Sequence, residues 1–328
     1  MAAGNYNYTA AADGDSEGWA ERDGRALHAS RSRAGSVALL ALDLLCFVLV
    51  SLPFLLVELN LIRPFKRGFY CDDESIRYPY LKDTISDGVL SAGGLLMAIL
   101  LLGLGECFYF QPCPVCPPDG QLLVALYRNL GSYLFGAAAT LSLTAVAKTT
   151  VGRLRPHFLD VCKPDPARLN CSAGYIIADL CLTRTNMVNE ARKSFFSGHA
   201  SFSMYTMLFL ILYLEARLTW RGARTLRPFM QFMLLLGALY VGLSRVSDYK
   251  HHWSDVMVGF IVGAAGAVLT VYLFTDLLRT KRERRSQWRT PRQRNTEEGL
   301  ACLPPGTERQ RQATIGLEGS SPEPSEGV

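Results

Sequence analysis

The chain is 328 residues long, 49% hydrophobic and only 19% charged, with 34 Lys and Arg against 29 Asp and Glu for a formal charge of +5. That balance excludes an intrinsically disordered protein. The mean hydropathy of +0.13 averages polar ends with a strongly apolar middle, which argues against a soluble globular domain. The ends, residues 1–35 and 281–328, are rich in Gly, Ser, Asp, Glu and Pro and are expected to be disordered tails around a membrane domain at 36–280.

Taken in chain order, the apolar runs are 37–57, 88–105, 129–147, 195–214, 228–244 and 256–275, interrupted only by Asp43 and His199. Each approaches the roughly 20 residues that a helix needs to cross a bilayer core of about 30 Å. Backbone groups in lipid must be satisfied within a helix or a closed barrel, and the period-2 alternation of a barrel is absent. The expected fold class is therefore all-α, a polytopic membrane protein with six transmembrane helices. The first run is too long and too far from the start to be a cleaved signal peptide.

Six spans put both tails on one side and the loops 61–86, 148–194 and 245–255 on the other. Lys and Arg nearly balance across the two sides, so charge alone does not orient the chain. The sequon Asn170-Cys171-Ser172 does: it is usable only outside the cytosol, which makes Asn170 the expected glycosylation site and both tails cytoplasmic. A second sequon, Asn7-Tyr8-Thr9, goes unused in this topology. Cys71, Cys162, Cys171 and Cys181 then fall in outer loops where disulfides can form, with all three pairings open. Cys113 and Cys116, in a short inner loop, lack the second ligand pair of a zinc site; palmitoylation or no role at all is the better expectation. The Arg/Lys cluster after the last run reads as a topology anchor, with contact to anionic inner-leaflet lipid as the alternative. No internal repeat and no nucleotide-binding glycine motif occurs, and no nucleic-acid partner is expected.

Polar residues interrupt the apolar runs at three outer boundaries. The third run ends in Lys148, followed by Arg153 and Arg155-Pro156; the fourth begins at Ser197-Gly198-His199; the fifth ends at Ser244-Arg245, with His251-His252-Trp253-Ser254-Asp255 leading into the sixth. All three clusters lie at one membrane face. Lys148 and Arg155 share a helical face if the third helix continues that far. Lys148, Arg155 and Arg245 supply three cations, Gly198 admits a close backbone N–H, and the start of the fourth helix adds free N–H groups. This is an oxyanion site, and phosphate fits it best, because Arg presents a planar fork to two oxygens and Lys a point charge.

A phosphomonoester needs an in-line nucleophile and an acid for its leaving oxygen. His251 and Asp255, spaced i and i+4, would let the carboxylate accept from one imidazole nitrogen and free the other as a nucleophilic lone pair. His199 is left as the acid, and His252 reads as a surface residue. Three cations would repel a divalent ion, so no metal and no other cofactor is expected.

At these residues the sequence resembles the lipid phosphate phosphatases, also called type 2 phosphatidic acid phosphatases. The family pattern Lys, six residues, Arg-Pro is met by Lys148 to Pro156. Pro-Ser-Gly-His is met by Phe196 to His199, with Phe196 in place of Pro. Ser-Arg, five residues, His, three residues, Asp is met by Ser244 to Asp255. The resemblance covers about residues 36–280, and stretches such as 152–157 and 193–205 look like the vertebrate type-three branch, with types one and two close behind. It implies a magnesium-independent ecto-phosphatase of phosphatidate, lysophosphatidate, sphingosine 1-phosphate and ceramide 1-phosphate. It also implies His251 as nucleophile, Asp255 as its partner and His199 as acid, with Lys148, Arg155, Ser197, Gly198 and Arg245 holding phosphate. The expected location is the plasma membrane with the site extracellular, or internal membranes with it lumenal. Partners are the lipid phosphates themselves; homo-oligomers are left open, and the absence of Arg-Gly-Asp puts integrin binding in doubt. The alternative is a catalytically weak adhesion or signalling scaffold, against which every catalytic position is filled. A transporter would carry more mid-membrane charge than Asp43.

Overall fold

The computed structural model describes residues 37–110, 121–177, 180–183, 186–218, 224–275 and 277. The expected tails, the Asn7 sequon, the Cys113–Cys116 pair and the basic cluster lie outside them. The described residues are helical, with no strand and only two isolated β-bridges, Phe69 with Ile176 and Pro164 with Cys181. In chain order the helices are α1 (Val37–Glu58), α2 (Asp87–Phe110), α3 (Gln121–Val151), the short α4 (Phe158–Cys162) and α5 (Asn186–Glu190), α6 (Gly198–Arg217), α7 (Leu226–Ser247) and α8 (Trp253–Phe274).

Among the described residues five helices, α1, α2, α3, α7 and α8, are long and apolar enough to cross a membrane. The sixth expected span, α6, falls outside that set, and its 20 residues include the polar Ser201, Ser203 and Thr206. Position explains the difference. Helix α6 packs against α2, α3, α7 and α8, so its neighbours and not lipid are its solvent. Its Phe202, Tyr205, Phe209, Leu210 and Tyr213 form the centre of the bundle core with Leu102, Tyr133 and Val271. Its polar groups are satisfied there: Ser201 Oγ lies 3.1 Å from Thr144 Oγ1, Thr206 Oγ1 3.1 Å from the Tyr133 hydroxyl, and the Tyr205 hydroxyl donates to the Tyr133 carbonyl at 2.7 Å. Leu49, Leu104, Phe232 and Leu269, by contrast, are exposed on the outer helices, as lipid-facing side chains must be.

Helices in lipid gain no hydrophobic drive from each other, so association rests on close packing of small residues. A Cβ on Gly263 would collide with the Ser201 carbonyl, and one on Gly259 would stand 2.8 Å from the Ser197 carbonyl oxygen. These glycines bring α8 against the N-terminal turn of α6, where Ser197, Gly198 and His199 sit. At the other end of the bundle, α2 runs past the expected boundary at 105 to carry Glu106 inside. The fully buried Glu106 carboxylate accepts from Asn129 Nδ2 at 2.8 Å and the Tyr213 hydroxyl at 3.0 Å, and Arg217 Nε lies 3.0 Å away, which ties α2, α3 and α6.

The loops 61–86 and 148–194 fold together into a cap with its own apolar cluster, including Phe69, Ile76, Leu154, Phe158, Ile176 and Val188. Of the three possible pairings the cap uses Cys71–Cys171 and Cys162–Cys181. A cavity of about 490 Å³ in the cap is lined by residues such as Arg77, Leu159, Asp160 and Leu169, and none of the candidate site residues borders it. Helix α3 stops at Val151 because Gly152 takes φ +58, the left-handed conformation, and its missing Cβ makes room for the Phe65 carbonyl. Arg155 therefore lies beyond the helix, with its N–H donating to the Ala191 carbonyl at 2.8 Å. Lys148 and Arg155 do not share a helical face as their spacing suggested.

Candidate active site

The site is built where α3 ends and α6 and α8 begin, with the end of α7 alongside. Ser197 caps α6, its Oγ accepting from the Ala200 N–H, and its own N–H donates to the Asp255 carbonyl at 3.1 Å. Gly198 is bare for a reason: a Cβ there would stand 3.3 Å from Lys148 Nζ and 3.6 Å from Thr144 Cγ2. The lysine ammonium thus lies over the first turn of α6, where unpaired N–H groups already favour an anion.

Arg245 is 1% exposed at the end of α7. Its Nη1 donates to Asp83 Oδ1 at 2.9 Å and the Ile85 carbonyl at 3.3 Å, and lies 3.2 Å from His199 Nε2; its Nη2 pairs with Asp248. Asp248 in turn accepts from the Thr84 N–H at 2.8 Å and hydroxyl at 2.7 Å. Burial pushes the Asp248 carboxyl up, but the Thr84 and Arg245 bonds outweigh it and hold the group below its ordinary value. Arg155 Nη2 lies 3.7 Å from Glu190. Among the described residues, the buried Nε atoms of Arg155 and Arg245 have no hydrogen-bond partner, so both guanidinium groups keep a donor for an incoming anion.

His199, at the start of α6, has Nε2 3.0 Å from the Ile85 carbonyl oxygen and Nδ1 3.5 Å from the exposed Asp87 carboxylate. His251 is buried, and its Nδ1 lies 2.7 Å from the Ser194 carbonyl oxygen. A carbonyl only accepts, so Nδ1 carries the proton and Nε2 keeps its lone pair. Burial, followed by the charges of Arg155 and Lys148, pushes the His251 imidazole well below its ordinary 6.5, which leaves it neutral at physiological pH.

The expected hydrogen bond from His251 to Asp255 is not formed: Nδ1 stands 3.9 Å from Asp255 Oδ2. The i, i+4 rule holds only within a helix, and α8 begins at Trp253, with His252 as its extended N-cap. Asp255 is instead saturated by other donors. Arg153 Nη1 donates to its Oδ1 at 2.6 Å, and its Oδ2 takes the Ser194 hydroxyl at 2.6 Å and the His252 N–H at 3.2 Å. His252, expected at the surface, closes a capping box with Asp255.

A family model described as the PAP2 superfamily matches residues 129–279, the segment that holds the three clusters. Mouse "Phospholipid phosphatase 2" is 49% identical over 242 residues, 73% of this chain and 87% of the relative. The chain belongs to the PAP2 superfamily. Human "Phospholipid phosphatase 2" is 48% identical, covering 73% of this chain and 84% of the relative. Rat "Phospholipid phosphatase 1" is 48% identical over 73% of this chain and 86% of the relative. These relatives carry type-two and type-one names, where the local stretches pointed to type three; all fall within the one family. No solved structure matches the chain.

In this PAP2 chain the structure brings Lys148, Gly198, Ser197, His199, Arg245, His251 and Asp255 to one end of the bundle, with Arg155 reaching in from the cap. Among the described residues no three His, Cys, Asp or Glu side chains cluster as metal ligands. Sequence reasoning missed Arg153, Ser194, Asp83 and Lys250, whose Nζ lies 3.9 Å from Asp83 and 3.8 Å from the centre of the Tyr80 ring. It also missed His157, whose Nδ1 faces the Tyr249 carbonyl oxygen at 2.8 Å and which burial pushes down to about 4. A signal was available only for Arg153, as a charge beside the Arg155 motif with no assigned partner.

Proposed function

We propose that the protein is a magnesium-independent lipid phosphate phosphatase that cleaves the phosphomonoester of phosphatidate, lysophosphatidate, sphingosine 1-phosphate and ceramide 1-phosphate. One observation carries the reading: a buried, neutral His251 with its Nε2 lone pair free, set among Lys148, Arg155 and Arg245 at the start of α6. The names of the mammalian relatives support a phospholipid substrate. In the first step His251 Nε2 bonds to phosphorus as the P–O bond to the lipid breaks, and His199 protonates the departing alkoxide. In the second, water attacks phosphorus, His199 takes its proton, the P–Nε2 bond breaks and inorganic phosphate leaves. Lys148, Arg155, Arg245, the Gly198 N–H and the Ser197 hydroxyl hold the equatorial oxygens, where charge is greatest in the transition state. Fixed cations occupy the place that metal ions take in other phosphatases.

The site lies at the membrane face that also carries the exposed Asn170, so glycosylation there would put both tails in the cytosol and the site on the extracellular or lumenal side. The plasma membrane is the proposed location. Phosphate release from lysophosphatidate by the detergent-solubilised full chain, with excess chelator, tests the reading. Turnover is expected to persist, and strict dependence on added magnesium or zinc would contradict it.

A further inference from the structure

The carboxylate nearest the proposed nucleophile does not touch it, and the residue between them is Ser194. Ser194 is fully buried in the loop before α6. Its carbonyl oxygen receives the His251 Nδ1 proton at 2.7 Å, and its hydroxyl donates to Asp255 Oδ2 at 2.6 Å. Its own N–H donates to the Arg153 carbonyl at 3.0 Å, and Arg153 returns through Nη1 to Asp255 Oδ1 at 2.6 Å and Ser254 Oγ at 2.8 Å. Arg153, Ser194 and Asp255 thus close a hydrogen-bonded ring. The ring meets the His251 imidazole at the Ser194 carbonyl.

We propose that Ser194 is the positioning residue of the reaction: Asp255, neutralised by Arg153, acts on the His251 ring through Ser194, whose carbonyl fixes the imidazole as the Nδ1–H tautomer. The proposal rests on His251 as the nucleophile. It gives Asp255 a different duty from a carboxylate bonded directly to the ring. A carboxylate on Nδ1–H would stabilise the cationic phosphoimidazole and slow its hydrolysis, whereas a neutral carbonyl orients the ring without that charge. The Nδ1 proton stays on the ring through both steps, while the P–Nε2 bond forms as the ester bond breaks and breaks as water adds.

Ser194→Ala removes the hydroxyl's hold on the Ser194 backbone and leaves only the N–H bond to the Arg153 carbonyl, while Asp255→Asn removes the other end of the same link. A ring misplaced by about 1 Å costs up to roughly a hundredfold in rate, so each variant is expected to lose between about tenfold and a hundredfold in kcat with KM little changed. Because both act through one link, the double variant should be no worse than the worse single variant. Ser194→Thr, which restores the hydroxyl, should recover most of the kcat lost in Ser194→Ala. The tautomer gives a readout independent of turnover. The chain has 5 histidines, and 15N-histidine spectra of the full protein in detergent, assigned with His251→Gln, should show His251 as Nδ1–H in the wild type and as a tautomer mixture in Ser194→Ala. Wild-type His251 as the Nε2–H tautomer, full activity of Ser194→Ala, or losses that multiply in the double variant would overturn the proposal. Failure of the phosphatase reading looks different: wild-type protein would then form no phosphohistidine while its His251 tautomer stayed as described.

Discussion

Replacing His199 by Ala separates proton donation from phosphate binding. Its Nε2 lies 3.2 Å from Arg245 Nη1, so the substitution removes one neighbour of a phosphate-binding cation. That cation stays in place, because Arg245 keeps Asp83 at 2.9 Å, the Ile85 carbonyl at 3.3 Å and Asp248. His199 Nε2 makes one hydrogen bond, to the Ile85 carbonyl oxygen at 3.0 Å or from Arg245, and its loss, about 1 kcal/mol, changes KM by about fivefold. Loss of a general acid is larger, about 10²- to 10⁴-fold in kcat, but only when the leaving oxygen needs a proton. A lipid alkoxide is strongly basic and does; a nitrophenolate leaves nearly unaided. His199→Ala is therefore expected to lose about a hundredfold or more in kcat on lysophosphatidate, while kcat/KM on p-nitrophenyl phosphate falls by only about the fivefold assigned to binding. The assay is the mutant-to-wild-type ratio of kcat/KM for the two esters in one detergent. Equal losses on both would refute His199 as the acid.

Two further outcomes follow from the electrostatics and the topology. Attack requires neutral His251, whose folded pKa is held well below 6.5, so kcat/KM should fall only as pH drops through that lowered value; Arg155→Ala removes a depressing charge and should move this acid limb to higher pH. The shift is measured on one substrate in both proteins, so that its own phosphate ionisation cancels, and an unmoved limb would count against His251 as the titrating base. On gels, enzymatic deglycosylation should speed the wild type and leave Asn170→Gln unchanged; a glycan mapped to Asn7 would invert the orientation.

The spans were legible because length and apolarity are properties of a run and need no partner. Helix α6 was the exception that proves the physical basis: it carries Ser201, Ser203 and Thr206, whose polar groups the surrounding helices satisfy. The three polar clusters could be placed at one face because alternating spans dictate sides. Contacts within that face were not legible. Whether Asp255 reaches His251 depends on where α8 starts, which the N-cap at His252 decides, and the i, i+4 spacing misled. Arg153 and Ser194 reach Asp255 across 102 and 61 residues of chain, a pairing that no local pattern encodes. The disulfide pairing waited on the folded cap for the same reason.

The central claim is that phosphate passes through His251 Nε2. Rapid acid-free quenching of the full-length protein turning over 32P-labelled lysophosphatidate, with a chelator present, followed by peptide mapping, tests it most directly. The account predicts acid-labile, base-stable label on the peptide containing His251, absent in His251→Ala, which should be inactive toward every ester. Steady turnover with no protein-bound label, or label carried by another residue, would contradict it.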